Sequence, residues 1–116
     1  MEDRTGGRGE SKAMNTVKID TSNGRITQIT LEMNGRIQIT SQEREFSGDQ
    51  NVVELLDSLL KKNALGIKDI EAIQFVTGPG SFTGLRVGAA IANAFAFGLQ
   101  ISVNGKEIGE IDTPIY

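Results

Sequence analysis

The sequence predicts an α/β layer: a mixed sheet of about five strands with two main helices, in the order β-β-β-α-β-α-β. Three observations carry this reading. Apolar residues alternate through 26–33, with Ile29, Leu31 and Met33 on one face, and Asn34-Gly35 then marks a hairpin. Val52, Val53, Leu55, Leu56, Leu59 and Leu60 recur at helical spacing. A glycine-rich segment separates a strand-like run, Ile73-Gln74-Phe75-Val76, from a second helical run that ends near Leu99. Such strand–helix–strand units add strands in parallel through right-handed crossovers, whereas the first three strands form an antiparallel meander.

The elements follow in chain order. Residues 1–13 have no large apolar residue after Met1 and are expected to be a disordered leader or tag, with Met14 as the natural start. Residues 14–105 form the folded unit. Val17 and Ile19 mark a short strand closed by the turn cluster Asp20-Thr21-Ser22-Asn23-Gly24. A two-residue hairpin turn would pair Leu31 with Gln38 and Ile29 with Thr40, leaving the apolar sets on opposite faces. A three-residue loop, Met33-Asn34-Gly35, instead pairs Leu31 with Ile37, Ile29 with Ile39 and Glu32 with Arg36. That loop, with Gly35 left-handed, is the expectation.

Ser47-Gly48-Asp49-Gln50 has the form of a capping box ahead of the first helix. Lys61 and Lys62 fall in its last turn, where the helix dipole favours cations, and Gly66 is its expected C-cap. A short connector over 67–71 leads to a buried strand over 72–77. A last strand over 101–103 ends at Asn104-Gly105. Residues 106–116 are a C-terminal extension whose pattern specifies no element.

Composition narrows the chemistry. The chain has 116 residues, enough for one domain. It has no cysteine and no histidine, which excludes disulfides, thiolate or imidazole metal sites and a Ser-His-Asp arrangement. A net charge of −3 argues against a large basic nucleic-acid surface. No apolar run approaches the roughly 20 residues of a membrane span and the N-terminus is polar, so a cytoplasmic location without membrane contact is expected. No catalytic residue, metal site or cofactor is expected.

The segment Gly78-Pro79-Gly80-Ser81-Phe82-Thr83-Gly84-Leu85-Arg86-Val87-Gly88 invites two readings. As a phosphate cradle it would use Ser81, Thr83 and the helix N-terminus, yet it has neither Rossmann spacing nor a P-loop ending. Asp20, Thr21 and Ser22 are matching weak candidates for a metal-bound nucleotide, against the plainer reading of an Asx turn. The second reading is packing. Gly80, Gly84, Gly88, Ala92 and Ala96 recur every four residues, a smooth helical stripe. From Gly78 to Gly105 the only charge is Arg86, an anion contact or an intramolecular pair. With one helix face on the sheet, the stripe would be left in water and mark a protein partner or a second copy, unless the first helix covers it. Glu107, Glu110 and Asp112 form an acidic end expected to be solvated.

The same eleven residues resemble the signature of the TsaB family, and Ile19-Asp20-Thr21-Ser22 resembles that family's first-strand motif. The resemblance extends over about residues 14–105. It implies a single actin-like (ASKHA, ribonuclease H-like) lobe, the class shared with sugar kinases and the Hsp70 ATPase domain. It implies a non-catalytic scaffold and activator in tRNA N6-threonylcarbamoyladenosine modification. The implied partner is a TsaD-like catalytic subunit, which transfers a threonylcarbamoyl group from its adenylate to tRNA. A TsaE-like ATPase would bind that pair, and tRNA would be met only through the complex. Homodimers through the same helices, over about 49–64 and 81–100, are the other implied assembly. Candidate interface residues are Val52, Leu56, Leu59, Gly80, Phe82, Gly84, Arg86, Gly88, Ala92, Phe95 and Ala96. The competing readings are a small actin-like ATP-binding or glycopeptidase-like enzyme, and a self-associating homodimeric domain. Two departures stand out: the family's second lobe is not matched, and Gly48 and Asp49 occupy the place of a histidine found in many members.

Overall fold

The computed structural model describes residues 14–43 and 51–115. Five strands, β1 (Thr16–Asp20), β2 (Ile26–Met33), β3 (Arg36–Glu43), β4 (Ala72–Phe75) and β5 (Ser102–Val103), form one sheet in the order β3-β2-β1-β4-β5. Helix α1 (Val52–Lys62) and a one-turn 3-10 helix (Ile67–Asp69) lie between β3 and β4, and helix α2 (Phe82–Leu99) joins β4 to β5. The first three strands pair antiparallel, whereas β1–β4 and β4–β5 pair parallel. This is the predicted mixed α/β layer.

Both helices cover the same face of the sheet. Val17, Ile19, Ile29, Leu31, Ile73 and Val103 join Leu56 and Leu60 of α1 and Ala92 of α2 in one core, each almost completely buried. Each large side chain so buried contributes about 1.5–3 kcal/mol. Strand alternation sends Lys18, Glu32 and Gln74 to the opposite face, which is exposed.

The hairpin differs from expectation. Its turn is two residues, with Asn34 at φ 52 and Gly35 at φ 78, and it pairs Met33 with Arg36, Leu31 with Gln38 and Ile29 with Thr40. Both central residues are left-handed, the primed turn that matches strand twist and that Asn-Gly favours. Turn chemistry therefore overrides the apolar pattern, and Ile37 and Ile39 are each 61% exposed on the open face. The polar residues carried inward are provided for. The Gln38 and Asn63 side-chain amides bond each other at 2.6 and 3.2 Å, tying β3 to the end of α1. Buried Thr27 donates to Asn51 Oδ1 at 3.0 Å, tying β2 to the start of α1.

Helix α1 ends at Asn63, not at the expected Gly66. Ala64 takes the left-handed conformation at φ 60, and Leu65 N–H bonds the Leu60 carbonyl at 2.9 Å. Gly66 instead caps the 3-10 turn. The predicted capping box at Ser47–Gln50 lies outside the described residues. Helix α2 has 18 residues with mean hydropathy 1.3, long and apolar enough by composition to cross a membrane. Its side bearing Gly84, Leu85, Gly88, Ala89, Ala92 and Ala96 is buried on the sheet, as in a core helix.

Residues 106–115 form no regular element, but they are tied down. Asn93 of α2 donates to the Asp112 carbonyl at 2.8 Å and accepts from Asp112 N–H at 3.2 Å. Ile115 N–H reaches the Thr77 carbonyl at 2.6 Å.

Candidate functional site

Two places compete: the junction between the end of β1 and the start of α2, and the outward face of α2.

At the junction the polar groups serve the fold. Asp20 Oδ1 accepts from Ser22 N–H at 3.0 Å and from Ser22 Oγ at 2.6 Å, an Asx-type turn. Thr21 is 2% exposed, and its hydroxyl donates to the Gly84 carbonyl at 2.5 Å. Ser81 is the N-cap of α2: its Oγ accepts from Gly84 N–H at 3.2 Å, while its own N–H bonds the Ser22 carbonyl at 2.7 Å. Thr83 is exposed and lines a separate depression with Arg86 and Val87. Of the five candidate nucleotide-binding residues, Asp20, Thr21, Ser22 and Ser81 are thus brought together, each in a bond internal to the chain. Beside them Gly78, Pro79, Gly80 and Ile115 line a depression of about 350 Å³. Among the described residues its lining is mainly apolar and includes no charged side chain to hold a phosphate.

The glycines are there for close approach. A side chain at Gly84 would land on the Thr21 carbonyl oxygen, and one at Gly88 on the Thr21 hydroxyl. At Gly80 a Cβ would sit 2.7 Å from Ser22 Cβ. The small-residue stripe therefore receives the first turn of the chain itself. The expectation that it faces water is corrected: Gly84, Gly88, Ala92 and Ala96 are buried within the chain. Val52, Leu56 and Leu59, also expected at an interface, are buried beneath α1. Neither set is available to a partner without unfolding. Phe95 is half-buried against the core.

What remains outside is a different stripe, turned from the first. Thr83, Arg86, Val87, Ala90 and Ile91 line a depression of about 370 Å³. Phe82 is 55% exposed at its start and Phe97 75% exposed near the end of the helix. Arg86 lies 5.2 Å from the centroid of the Phe82 ring, a cation–π contact. Val87, Ala90 and Ile91 were not singled out by sequence reasoning, and Thr83 was singled out only as an anion-site candidate. Small and apolar residues occupy both sides of α2, so composition did not say which side meets the sheet. The one legible signal was that the single charge, Arg86, had to be on the outer side.

Among the described residues no group of three or more acidic side chains is placed to hold a metal ion.

Comparison with known proteins identifies the lineage. A family model described as "TsaD: tRNA N6-adenosine threonylcarbamoyltransferase" matches residues 43–105, more than half of the chain. The chain is 43% identical over 54 residues to the tRNA threonylcarbamoyladenosine biosynthesis protein TsaB of Haemophilus influenzae, covering 47% of this chain and 23% of that protein. With the TsaB of Escherichia coli it shares 34% over 56 residues, covering 48% and 24%. The fold matches YeaZ from Pseudomonas aeruginosa with a TM-score of 0.72 at 25% identity, over 81% of this chain and 44% of that one. The matched region is thus about a quarter of these curated relatives' length and under half of the solved structure. With the signature at the β4–α2 junction and the sheet order in agreement, the chain belongs to the TsaB/TsaD family and has its actin-like fold.

Proposed function

We propose that this chain is an interaction subunit in the formation of threonylcarbamoyladenosine in tRNA, and that it pairs with a TsaD-type protein through the outward face of α2. The observation that carries this is the composition of that face: a depression lined by Thr83, Arg86, Val87, Ala90 and Ile91, with exposed Phe82 and Phe97 on the same helix. Exposed apolar ground of this kind is characteristic of protein interfaces. The TsaB relatives named above supply the pathway, and the resemblance to the TsaB family implies the type of partner. In this reading the chain serves the assembly as a non-catalytic subunit, which the use of the described polar side chains at the β1–α2 junction in bonds internal to the fold supports. A TsaE-type ATPase joins the pair, tRNA is met through the assembly, and the whole works in the cytoplasm.

The test is Ala90→Glu, which places a charge in the depression while leaving the core untouched. Mixed with the TsaD-type protein from the same genome, the native chain should give a one-to-one complex by light scattering, and the variant should not. An unaltered complex with Ala90→Glu would rule out this face as the interface.

A further inference from the structure

We infer that Asn93, Asn104 and the Thr77 carbonyl form a binding site for an extended peptide segment anchored by an aspartate, and that the chain keeps this site filled with its own residues 112–115. The site is built from α2, the end of β4 and the end of β5, and it does not rest on the pairing proposed above.

Two asparagine amides make the site. Each is fixed by one bond to a regular element and keeps a group for the segment. Asn93 Nδ2 donates to the Ala89 carbonyl of α2 at 2.8 Å. The same amide brackets one residue of the segment: Nδ2 donates to the Asp112 carbonyl at 2.8 Å, and Oδ1 accepts from Asp112 N–H at 3.2 Å. A neighbouring strand reads a peptide backbone through the same pair of groups, and such bonds are blind to the side chain. Asn104 Oδ1 accepts from Phe75 N–H at 2.8 Å, which leaves Nδ2 for Asp112 Oδ2, 2.9 Å away. Lys106 Nζ stands 4.0 Å from the other carboxylate oxygen. Asn104 and Lys106 thus select an aspartate as the anchor. Three residues on, Ile115 N–H donates to the Thr77 carbonyl at 2.6 Å. Main-chain bonds at two points fix an extended backbone, and the anchor gives specificity.

The present occupant is held by polar bonds and little else. Ile108, Ile111 and Ile115 are 59%, 63% and 70% exposed, so hydrophobic burial contributes little to its hold. Beside Ile115 the depression lined by Gly78, Pro79 and Gly80 stays open. A segment held this way opens locally while the core stays folded. When residues 112–115 leave, the Ala89 and Phe75 bonds keep both amides in place, so the vacated site is preorganised. The ligand that displaces them is an extended segment of another protein chain, with an aspartate three residues ahead of an apolar side chain.

The probe is a labelled peptide with the sequence of residues 107–115. The protein is the full chain carrying Asp112→Lys, which removes the anchor from its own segment and leaves Asn93, Asn104 and Thr77 intact. Fluorescence anisotropy should show saturable binding, about tenfold or more tighter than to the native chain, where the tethered segment competes. Adding Asn93→Ala to that chain, or Asp112→Lys to the peptide, should abolish it. The inference is overturned if the peptide does not bind the Asp112→Lys chain, or if it binds equally well once Asn93→Ala is added. Amide exchange of the native chain is an independent check that needs no variant. The Ile115 amide should exchange through local opening at least about a hundredfold faster than the amides of β1. Equal protection would mean that the segment opens only with the whole fold, and would overturn the inference as well.

Discussion

The Thr21 hydroxyl donates a hydrogen bond of 2.5 Å to the Gly84 carbonyl, joining the end of β1 to the first turn of α2. Thr21 is 2% exposed, so this bond is made away from water. Replacing Thr21 with Val keeps the shape and removes the donor. The loss should be about 1–2 kcal/mol, read as a lower urea midpoint with an unchanged slope. Thr21→Ser, which keeps the hydroxyl, should lie between the two. Equal midpoints for all three would mean that the bond contributes nothing to the junction.

Glycines on the two sides of α2 should respond with opposite sign. Gly84→Ala drives a methyl into the Thr21 carbonyl and should cost at least about 1–3 kcal/mol through overpacking. Gly98 is helical and has open space around it. Gly98→Ala should therefore stabilise by about 0.5–1 kcal/mol through helix propensity. Thermal melts of the two variants give the comparison, and a shared sign would contradict the packing described.

The hairpin gives a similar contrast and shows where sequence reasoning ran out. Ile39 faces water and Ile29 the core, so Ile39→Thr should change stability by no more than about 0.5 kcal/mol. Ile29→Thr should cost several-fold more, about 2 kcal/mol or above. Urea titrations that gave comparably large losses for both variants would restore the three-residue loop. The order of elements along the chain was legible because β2 and α1 each carry one clear period. The register of β3 was not, because Asn34-Gly35 dictates a turn that its isoleucines oppose, and the compensating Gln38–Asn63 pair spans elements far apart in sequence. The family was legible in eleven residues at the β4–α2 junction. The use of their glycines was not. A stripe of small residues looks alike whether a partner or the chain's own first turn packs on it, and only the position of Thr21 separates the two.

The C-terminal segment should loosen in acid. The Asn104 amide, 2.9 Å from Asp112 Oδ2, holds that carboxyl below its ordinary value, helped by Thr113 N–H and the Lys106 charge and opposed by partial burial. A carboxyl depressed in the folded state adds stability above its unfolded value, about 3.9, and loses it as pH falls through the lower folded value. Protection of the Asp112 and Ile115 amides, corrected for the intrinsic pH dependence of exchange, should therefore be steady near neutrality and fall below about pH 4. In Asp112→Asn that acid-dependent step should vanish. A step that persists in the variant would assign it to another group.

Helix α2 turns Gly84 and Gly88 inward and Arg86 outward, and that outer side is the face proposed for a partner. Light scattering of the chain mixed with the TsaD-type protein of its genome tests this most directly, with Ala90→Glu and Gly98→Ala run beside it. A one-to-one mass is expected for the native chain and for Gly98→Ala, and two separate masses for Ala90→Glu. A complex that forms equally well with Ala90→Glu, or no complex with the native chain, would contradict that proposal.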